Sequence, residues 1–256
     1  MKVVIFAGGR GTRIAEESLL RPKPMVEIGG RPILWHIMRH YSHYGFNDFI
    51  ICLGYKGHLI KEYFVNYFYY NSDLQVDLRH NSVRILGSQV EPFNVILADT
   101  GIDTMTAGRL KRVLPYTENQ PFMLTYGDGV SDVNLHELLA FHKKHGRICT
   151  MTTVQAGSRF GVVQMDAEGF VTGFTEKPTD DGTWINAGFF VVNPEIAKYL
   201  KDDADQVMWE RQPMDDLARD GQLAAYRHLG FWKCMDTLRD KEQLEELWHK
   251  GAPWTT

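Results

Sequence analysis

The chain has only three cysteines, and they lie far apart. Cys52, Cys149 and Cys234 form no C-x-x-C pair, so the spacing that is typical of redox and zinc sites is missing. A few scattered cysteines of this kind are typically buried and reduced, as in cytoplasmic proteins. We therefore expect a cytoplasmic protein whose cysteines carry no chemistry.

Long apolar runs and an excess of positive charge are also missing. No apolar run reaches the roughly 18 residues of a membrane-spanning helix, and the chain starts directly in a strand-like segment, which predicts no signal peptide. The formal net charge of −4 argues against a nucleic acid as partner. The 10 histidines lack the spacing of a zinc-binding helix, so metal binding by imidazole is not expected. Binding of Mg²⁺ by carboxylates is not excluded. We expect small-molecule partners, with no membrane and no nucleic acid.

What the chain does contain is an alternation of strand and helix patterns. Apolar runs at 3–6, 49–53, 94–98 and 122–126 predict buried strands, and helical spacing predicts helices over 32–44, 58–70 and 134–145. After residue 148, short strands with turn signals between them predict an antiparallel or mixed segment. The expected fold is α/β, a Rossmann-like mixed, mostly parallel sheet flanked by helices, with a smaller antiparallel lobe.

The first strand runs into a loop that suits a phosphate group. The segment Gly8–Gly11 has glycine at three of its four positions, which lets the backbone take positive φ and brings amides close to a ligand. Arg13 adds a fork of donors, and Lys23, held between two prolines, adds a compact positive charge. A plain glycine turn followed by a surface arginine is the alternative interpretation.

The loop matches a longer pattern than the common phosphate motifs. The dinucleotide fingerprint needs glycine where Ile14 stands, and no Gly-Lys-Ser/Thr follows as in a P-loop. The pattern G-G-x-G-T-R-x(n)-P-K is present in full as Gly8–Arg13 and Pro22-Lys23. The chain therefore resembles the sugar-1-phosphate nucleotidylyltransferases, in which a sugar 1-phosphate attacks the α-phosphorus of a nucleoside triphosphate and releases pyrophosphate. Matching pieces follow in order as far as about Arg239.

This resemblance implies a nucleotide site built from three parts of the chain. The loop after residues 94–98 is rich in small residues, which leave room for a flat base. One departure is Arg10, where the family often has an apolar residue. The implied nucleotide-binding residues are Phe6, Ala7, Gly8, Gly9, Arg10, Gly11, Thr12, Arg13, Lys23, Thr104, Thr106, Gly108, Arg109 and Gly127.

Two aspartates are the candidate ligands of Mg²⁺. Asp128 stands between two glycines after the strand at 122–126, at the strand end where open α/β sheets bind ligands, although Asp-Gly also forms ordinary turns. Asp236 precedes Thr237, whose spacing to Asp240 predicts a helix start. Asp236 is therefore either a neighbour of a helix cap or a carboxylate aimed at the site. The resemblance assigns both aspartates to the metal.

The resemblance also implies a site for the sugar phosphate in the second half of the chain. There Glu176 would bind sugar hydroxyls and Lys177 the phosphate, and the implied residues are Gly161, Glu176, Lys177, Asn186 and Gly188. The implied catalytic residues are Arg13, Lys23, Asp128 and Lys177. All parts would belong to a single nucleotidyltransferase domain over residues 1–256. Its nucleotide-binding half would end at about residue 130, and the sugar-binding half and C-terminal helix would follow.

Several alternatives stay open within and beyond this family. The segments TYGDGV and FWKCMDTLRDK, among others, bring the chain nearest to the branch that uses CTP and glucose 1-phosphate, makes CDP-glucose and forms homohexamers. Residue chemistry alone does not distinguish cytosine from uracil, so a uridylyl- or thymidylyltransferase remains an alternative. A regulatory subunit of the same fold would usually lose the arginine or the aspartates. A metal-dependent glycosyltransferase would need D-x-D where Gly127-Asp128-Gly129 stands.

Overall fold

The computed structural model describes residues 1–11, 14, 20–88, 90–155, 162–166, 168–175 and 184–255. The α-helices of this part are α1 (Ile33–His43), α2 (Gly57–Tyr70), α3 (Thr106–Val113), α4 (Leu135–His145), α5 (Gln212–Arg219) and α6 (Leu238–His249). Its strands are β1 (Lys2–Phe6), β2 (Glu27–Ile28), β3 (Arg31–Pro32), β4 (Asp48–Leu53), β5 (Ser72–Asp77), β6 (Ser82–Ser88), β7 (Asn94–Asp99), β8 (Phe122–Tyr126), β9 (Gly129–Ser131), β10 (Cys149–Gln155), β11 (Val162–Met165), β12 (Val171–Thr175), β13 (Trp184–Val192), β14 (Leu223–Arg227) and β15 (Trp232–Cys234).

A mixed sheet of nine strands, counted over the described residues, forms the centre of the fold. Strands β7, β4, β1 and β8 lie side by side and run parallel. Strand β13 is antiparallel to β8 and to its other neighbours β10 and β11. Strand β12 pairs with β11, and β14 runs parallel to β10. The predicted α/β class with a mixed sheet is confirmed, and the antiparallel strands continue the parallel ones in one sheet.

Each face of the sheet has its own apolar core. In β1, Val3 and Ile5 belong to one core, while Val4 and Phe6 belong to the other, as expected for a strand whose side chains alternate between two covered faces. Helix α1 covers the first face with its predicted apolar stripe, and α3 and α5 cover the second. The carboxyl end of β1 is thereby fixed between two packed layers.

Local signals in the sequence mark where helices begin and end. The Asn134 side chain accepts hydrogen bonds from the first-turn amides of α4, and Gly146 closes that helix at φ 67°. Thr237 and Asp240 form a capping box at the start of α6. This cap fixes the chain direction immediately after Asp236, because the Asp236 amide also donates to the Asp240 carboxylate at 3.2 Å.

The three cysteines are free thiols; Cys52 and Cys149 are buried, as predicted, whereas Cys234 is half-buried. Burial raises the pKa of Cys52 to about 12, so this thiol stays neutral. Burial, followed by the nearby Asp236 and Asp128, raises the pKa of Cys234 to about 12 as well. Along the described chain, no helix has the length and apolarity that a membrane span requires.

Strands β5 and β6 form a separate hairpin whose apolar face is open to solvent. Leu74 lies opposite Ile85, and Val76 lies opposite Val83. These four side chains, which we call the hairpin face, are 38–54% exposed. From the sequence, 72–93 is predicted to form short edge strands or an excursion from the main sheet; residues 72–88 form a two-stranded hairpin with an uncovered apolar side.

Candidate active site

A cleft of about 730 Å³ opens at the carboxyl ends of β1 and β8, the edge where open α/β sheets bind ligands. It joins candidates from distant parts of the chain, since Lys23 and Asp236 are 213 positions apart. The predicted site residues that line it are Phe6, Ala7, Gly8, Gly9, Gly11, Lys23, Thr104, Thr106, Arg109, Gly127, Asp128, Asn186, Gly188 and Asp236.

Two described candidates do not line this cleft. Arg10 forms an exposed ion pair with Asp103, with 2.7 Å between Nη2 and Oδ1. Gly108 is buried in α3, where a Cβ would overlap Asp205. Their roles in nucleotide binding remain predictions. So do those of the candidates outside the described residues, which are Thr12, Arg13, Gly161, Glu176 and Lys177.

Arg109 holds the phosphate loop from the side of the sheet. Its side chain is buried, and its Nη1 donates to the Leu53 carbonyl at 2.9 Å, the Gly101 carbonyl at 2.8 Å and the Thr100 hydroxyl at 2.7 Å. Its Nη2 donates to the Gly8 carbonyl at 3.1 Å. A Cβ at position 8 would overlap the guanidinium, which explains the need for glycine there. Arg109 thus joins the loop after β7, which is predicted to contact the base, to the glycine loop Gly8–Gly11. A direct contact of Arg109 with the nucleotide remains a prediction.

Lys23 lies between the two predicted metal ligands. Its Nζ donates to Asp128 Oδ2 at 2.7 Å and to Asp236 Oδ1 at 2.5 Å, and the whole residue is only 8% exposed. Burial acts to lower the pKa of Lys23, but the two carboxylates outweigh burial and raise it above its ordinary value. The ammonium is therefore charged, and it holds both carboxylates around one position.

Strand pairing brings the two aspartates together. Asp128 immediately precedes β9, which pairs with β15, so that Gly129 lies opposite Cys234. The Met235 amide donates to the Asp128 carbonyl at 2.8 Å. Asp236 is thus carried to the same end of the sheet as Asp128. The described structure therefore brings Asp128 and Asp236 together, as the sequence predicts.

The pair of carboxylates fits a Mg²⁺ ion in the chemistry of its donors. Both groups offer hard oxygen ligands around a position that one cation, the Lys23 ammonium, already occupies. The described residues contain no group of three or more metal-ligating side chains. Mg²⁺ commonly takes one or two protein carboxylates and completes its shell with water and substrate phosphates. The two aspartates therefore suit a metal that binds together with phosphate.

The loop predicted to contact the base leads into α3. Thr106, the first residue of α3, donates its hydroxyl to Glu210 Oε2 at 2.9 Å and accepts from the Trp209 amide at 2.7 Å. Its side chain is therefore engaged within the protein, and a contact between Thr106 and the nucleotide remains a prediction. Thr104 lines the cleft beside it.

Sequence reasoning missed Tyr126 and Glu210, which line the cleft beside the predicted residue Asn186. Asn186 Nδ2 donates to the Tyr126 hydroxyl at 3.3 Å, and Tyr126 is hydrogen-bonded in turn to Glu210. Burial first, and then the Glu210 carboxylate, raises the pKa of Tyr126 well above its ordinary range. Gly188, at φ 81°, packs on the Tyr126 ring, where no side chain would fit. A neutral phenol, an amide and a carboxylate therefore line one wall of the cleft.

Two of the missed residues had weak signals in the sequence. Tyr126 directly precedes Gly127-Asp128, and Trp232 lies four residues before Asp236. Trp232 lines the cleft and donates its indole N–H to the Ala187 carbonyl at 2.7 Å. Glu210 lies in a segment with no periodic pattern, so no local signal marks it.

The fold and this cleft place the chain in a known class. It belongs to the nucleotidyl transferase family, whose model matches residues 2–233. Over 258 aligned residues it is 52% identical to the glucose-1-phosphate cytidylyltransferase of Salmonella typhi, covering 100% of this chain and 99% of that protein. It is 43% identical to a probable glucose-1-phosphate cytidylyltransferase of Bacillus subtilis over 251 residues, covering 98% of this chain and 97% of that protein. The structure of HddC from Yersinia pseudotuberculosis shares the fold, with a TM-score of 0.74 and 22% identity, covering 96% of this chain and 99% of the other.

Proposed function

We propose that this chain transfers the cytidylyl group of CTP to glucose 1-phosphate, giving CDP-glucose and pyrophosphate, in the cytoplasm. The observation that carries the proposal is the meeting of Lys23, Asp128 and Asp236 in a cleft that is also lined by the glycine loop. The similarity over the whole length to cytidylyltransferases of this kind supports the choice of base and sugar. The free thiols agree with a cytoplasmic location.

The reaction needs charge and positioning more than acid–base chemistry. A phosphate oxygen of glucose 1-phosphate forms a bond to the α-phosphorus of CTP, and the bond from that phosphorus to the bridging oxygen of pyrophosphate breaks. The nucleophile is already an anion, so no general base is required. Two polyanions must be held in line, which preorganised donors and cations achieve.

The chain supplies these donors from the loop and the turn at the carboxyl end of β1. Backbone amides of Gly8–Gly11 would hold the triphosphate, and Lys23 would steady the α-phosphoryl group. We assign Arg13 to the charge that builds on the α- and β-phosphates, and Lys177 to the phosphate of the sugar. Asp128 and Asp236 would hold Mg²⁺, which supplies Lewis-acid stabilisation of the phosphate charge when bound.

A nucleotide screen tests the proposal. Purified protein is given Mg²⁺, glucose 1-phosphate and either CTP, UTP, TTP or GTP, and the pyrophosphate released is measured. We expect release with CTP at a rate at least tenfold above the other triphosphates. A preference for UTP or TTP would replace the base assignment. No release with any triphosphate would favour a regulatory subunit, and turnover of finished CDP-glucose onto an acceptor would favour a glycosyltransferase.

Glu210 is expected to bind a sugar hydroxyl, because it lines the cleft next to Tyr126 and Asn186. Replacing Glu210 with Gln should raise the KM for glucose 1-phosphate by about tenfold and leave the KM for CTP nearly unchanged, since a neutral amide oxygen replaces the charged acceptor of the sugar hydroxyl. Initial rates at varied sugar phosphate and saturating CTP measure the effect. Asp205→Asn is the control, because Asp205 pairs with Arg112 and does not line the cleft. An unchanged sugar KM in the Glu210 variant would remove this role.

We also propose that copies of the chain associate through the hairpin face, as one of the contacts of a homohexamer. A two-stranded hairpin has little stability alone, and the exposed apolar pairs Leu74–Ile85 and Val76–Val83 gain by being covered. A second copy of the chain presents the same face, so one surface serves both partners.

Replacing Val76 with Glu should therefore shift the protein to a smaller assembly, since a charge on the hairpin face opposes its burial. Light scattering coupled to gel filtration would give the mass, to be compared with six times the 29.4 kDa of one chain. The control is Gln75→Glu, which changes the neighbouring residue, whose side chain lies on the opposite face of the strand. This variant should keep the original mass. If the Val76 variant kept that mass too, the hairpin face would not be the contact.

A further inference from the structure

Lys23 occupies the position in which the two aspartates would meet a metal. Its ammonium is within 2.7 Å of Asp128 and 2.5 Å of Asp236. These are the two predicted ligands of the metal, and the side chain of Lys23 is 10% exposed while it lies between them. An ion that takes the same oxygens must first displace this ammonium.

The charges make this displacement unfavourable for a metal that arrives alone. With Lys23 in place, the three groups carry a net charge of about −1, whereas the two carboxylates without it carry about −2. A divalent cation next to the ammonium is opposed by repulsion between like charges a few ångströms apart. Lys23 also loses two ion pairs in a site where it is buried.

The backbone around Lys23 limits where the ammonium can move. Lys23 lies on a 3₁₀ turn, Lys23–Met25, with Pro22 before it and Pro24 after it, and the turn is buried. Its side-chain torsions are therefore the means by which it leaves the aspartates. The glycine loop lines the same cleft, so an anion bound there offers the ammonium a new partner.

We propose that Lys23 and the divalent metal compete for Asp128 and Asp236, and that the triphosphate of the nucleotide relieves this competition by drawing Lys23 onto its phosphates. Tight metal binding then requires nucleotide, and the free protein binds metal weakly. Only the identity of the anion rests on the proposed function. The competition itself rests on the two ion pairs of Lys23.

The test measures Mn²⁺ binding without turnover, by the electron paramagnetic resonance signal of free Mn²⁺. In the absence of nucleotide, Lys23→Met should bind Mn²⁺ about tenfold more tightly than the original protein, because the competing charge is gone. Lys23→Arg keeps the charge and should bind as weakly as the original. Lys233→Met is the matched control, since Lys233 pairs with Gln243 and lies 3.7 Å from Asp240, away from both ligands. Lys23→Gln serves as a second neutral variant if the methionine variant does not fold.

A second arm adds the α,β-methylene analogue of CTP. It should tighten Mn²⁺ binding of the original protein by about tenfold more than that of Lys23→Met, since the variant has no competitor to remove. Equal Mn²⁺ affinity of the original protein and both neutral variants, without nucleotide, would overturn the competition. Failure of the analogue to bind would count against the proposed function and leave the first comparison standing.

Discussion

Replacing Asp128 with alanine should lower the kcat of CDP-glucose formation by about 100- to 1000-fold, the usual effect of losing preorganised stabilisation of a developing anion, because Asp128 would hold the Mg²⁺ that supplies it. Asp128 follows β8 at the carboxyl edge of the sheet and accepts from Lys23. Its loss removes one of two carboxylates for the metal and one of two partners that orient the ammonium. The measurement is pyrophosphate release at saturating CTP and glucose 1-phosphate.

A carboxylate four positions further along serves as the control. Asp132 accepts from His228 Nε2 at 2.8 Å and does not line the cleft. Asp132→Asn keeps the shape of that side chain and should leave kcat within about threefold of the original. Turnover at the original rate in Asp128→Ala would contradict the role given to this carboxylate.

Replacing Arg109 with methionine should lower the free energy of unfolding by about 2–4 kcal/mol, because buried carbonyl oxygens lose their donor. Arg109 is only 4% exposed, and its guanidinium donates to the Gly8, Leu53 and Gly101 carbonyls, which belong to three separate segments. No other residue of the described chain makes this set of contacts. Urea unfolding followed by circular dichroism measures the change, and a higher KM for CTP should accompany it.

Arg112 is the matched control for Arg109 because it lies one turn further along α3. Its side chain is 45% exposed; it pairs with Asp205 at the surface and, within the described part of the chain, donates to a single backbone carbonyl, that of Thr100, at 3.1 Å. Arg112→Met should cost less than about 1 kcal/mol, as is usual for exposed ion pairs. Equal loss of stability in the two variants would show that the buried contacts of Arg109 add nothing to the free energy of unfolding beyond what an exposed arginine contributes.

The regular parts of the fold were predictable because they depend on local pattern. The apolar stripe of α1, the caps of α4 and α6 and the buried strand β8 all follow from residues within a few positions of one another. The hairpin of β5 and β6 could be predicted only as edge strands or an excursion, because both its faces are largely exposed and its alternation of apolar and polar side chains is weak.

The candidate site was predictable only as far as motifs reach. The glycine loop and the two aspartates carry a long pattern, and the cleft joins them as expected. The contacts of Lys23, by contrast, depend on the pairing of β9 with β15, whose residues lie about 100 positions apart. Glu210 reaches the cleft from an irregular segment beside α5. Such contacts arise from tertiary packing, so no local sequence pattern predicts them.

The direct pairing of β8 with β13 limits how the two predicted halves of the chain could move relative to one another. Residues Phe189–Val192 of β13 pair with Phe122–Thr125 of β8, so one backbone ladder joins the half predicted to bind the nucleotide to the half predicted to bind the sugar phosphate. A hinge between the two halves would have to break those hydrogen bonds, and any closure over the cleft would have to come from segments outside the ladder. A chain cut between the halves would leave each fragment with an exposed edge strand whose backbone groups are unpaired. Such fragments tend to aggregate rather than fold alone.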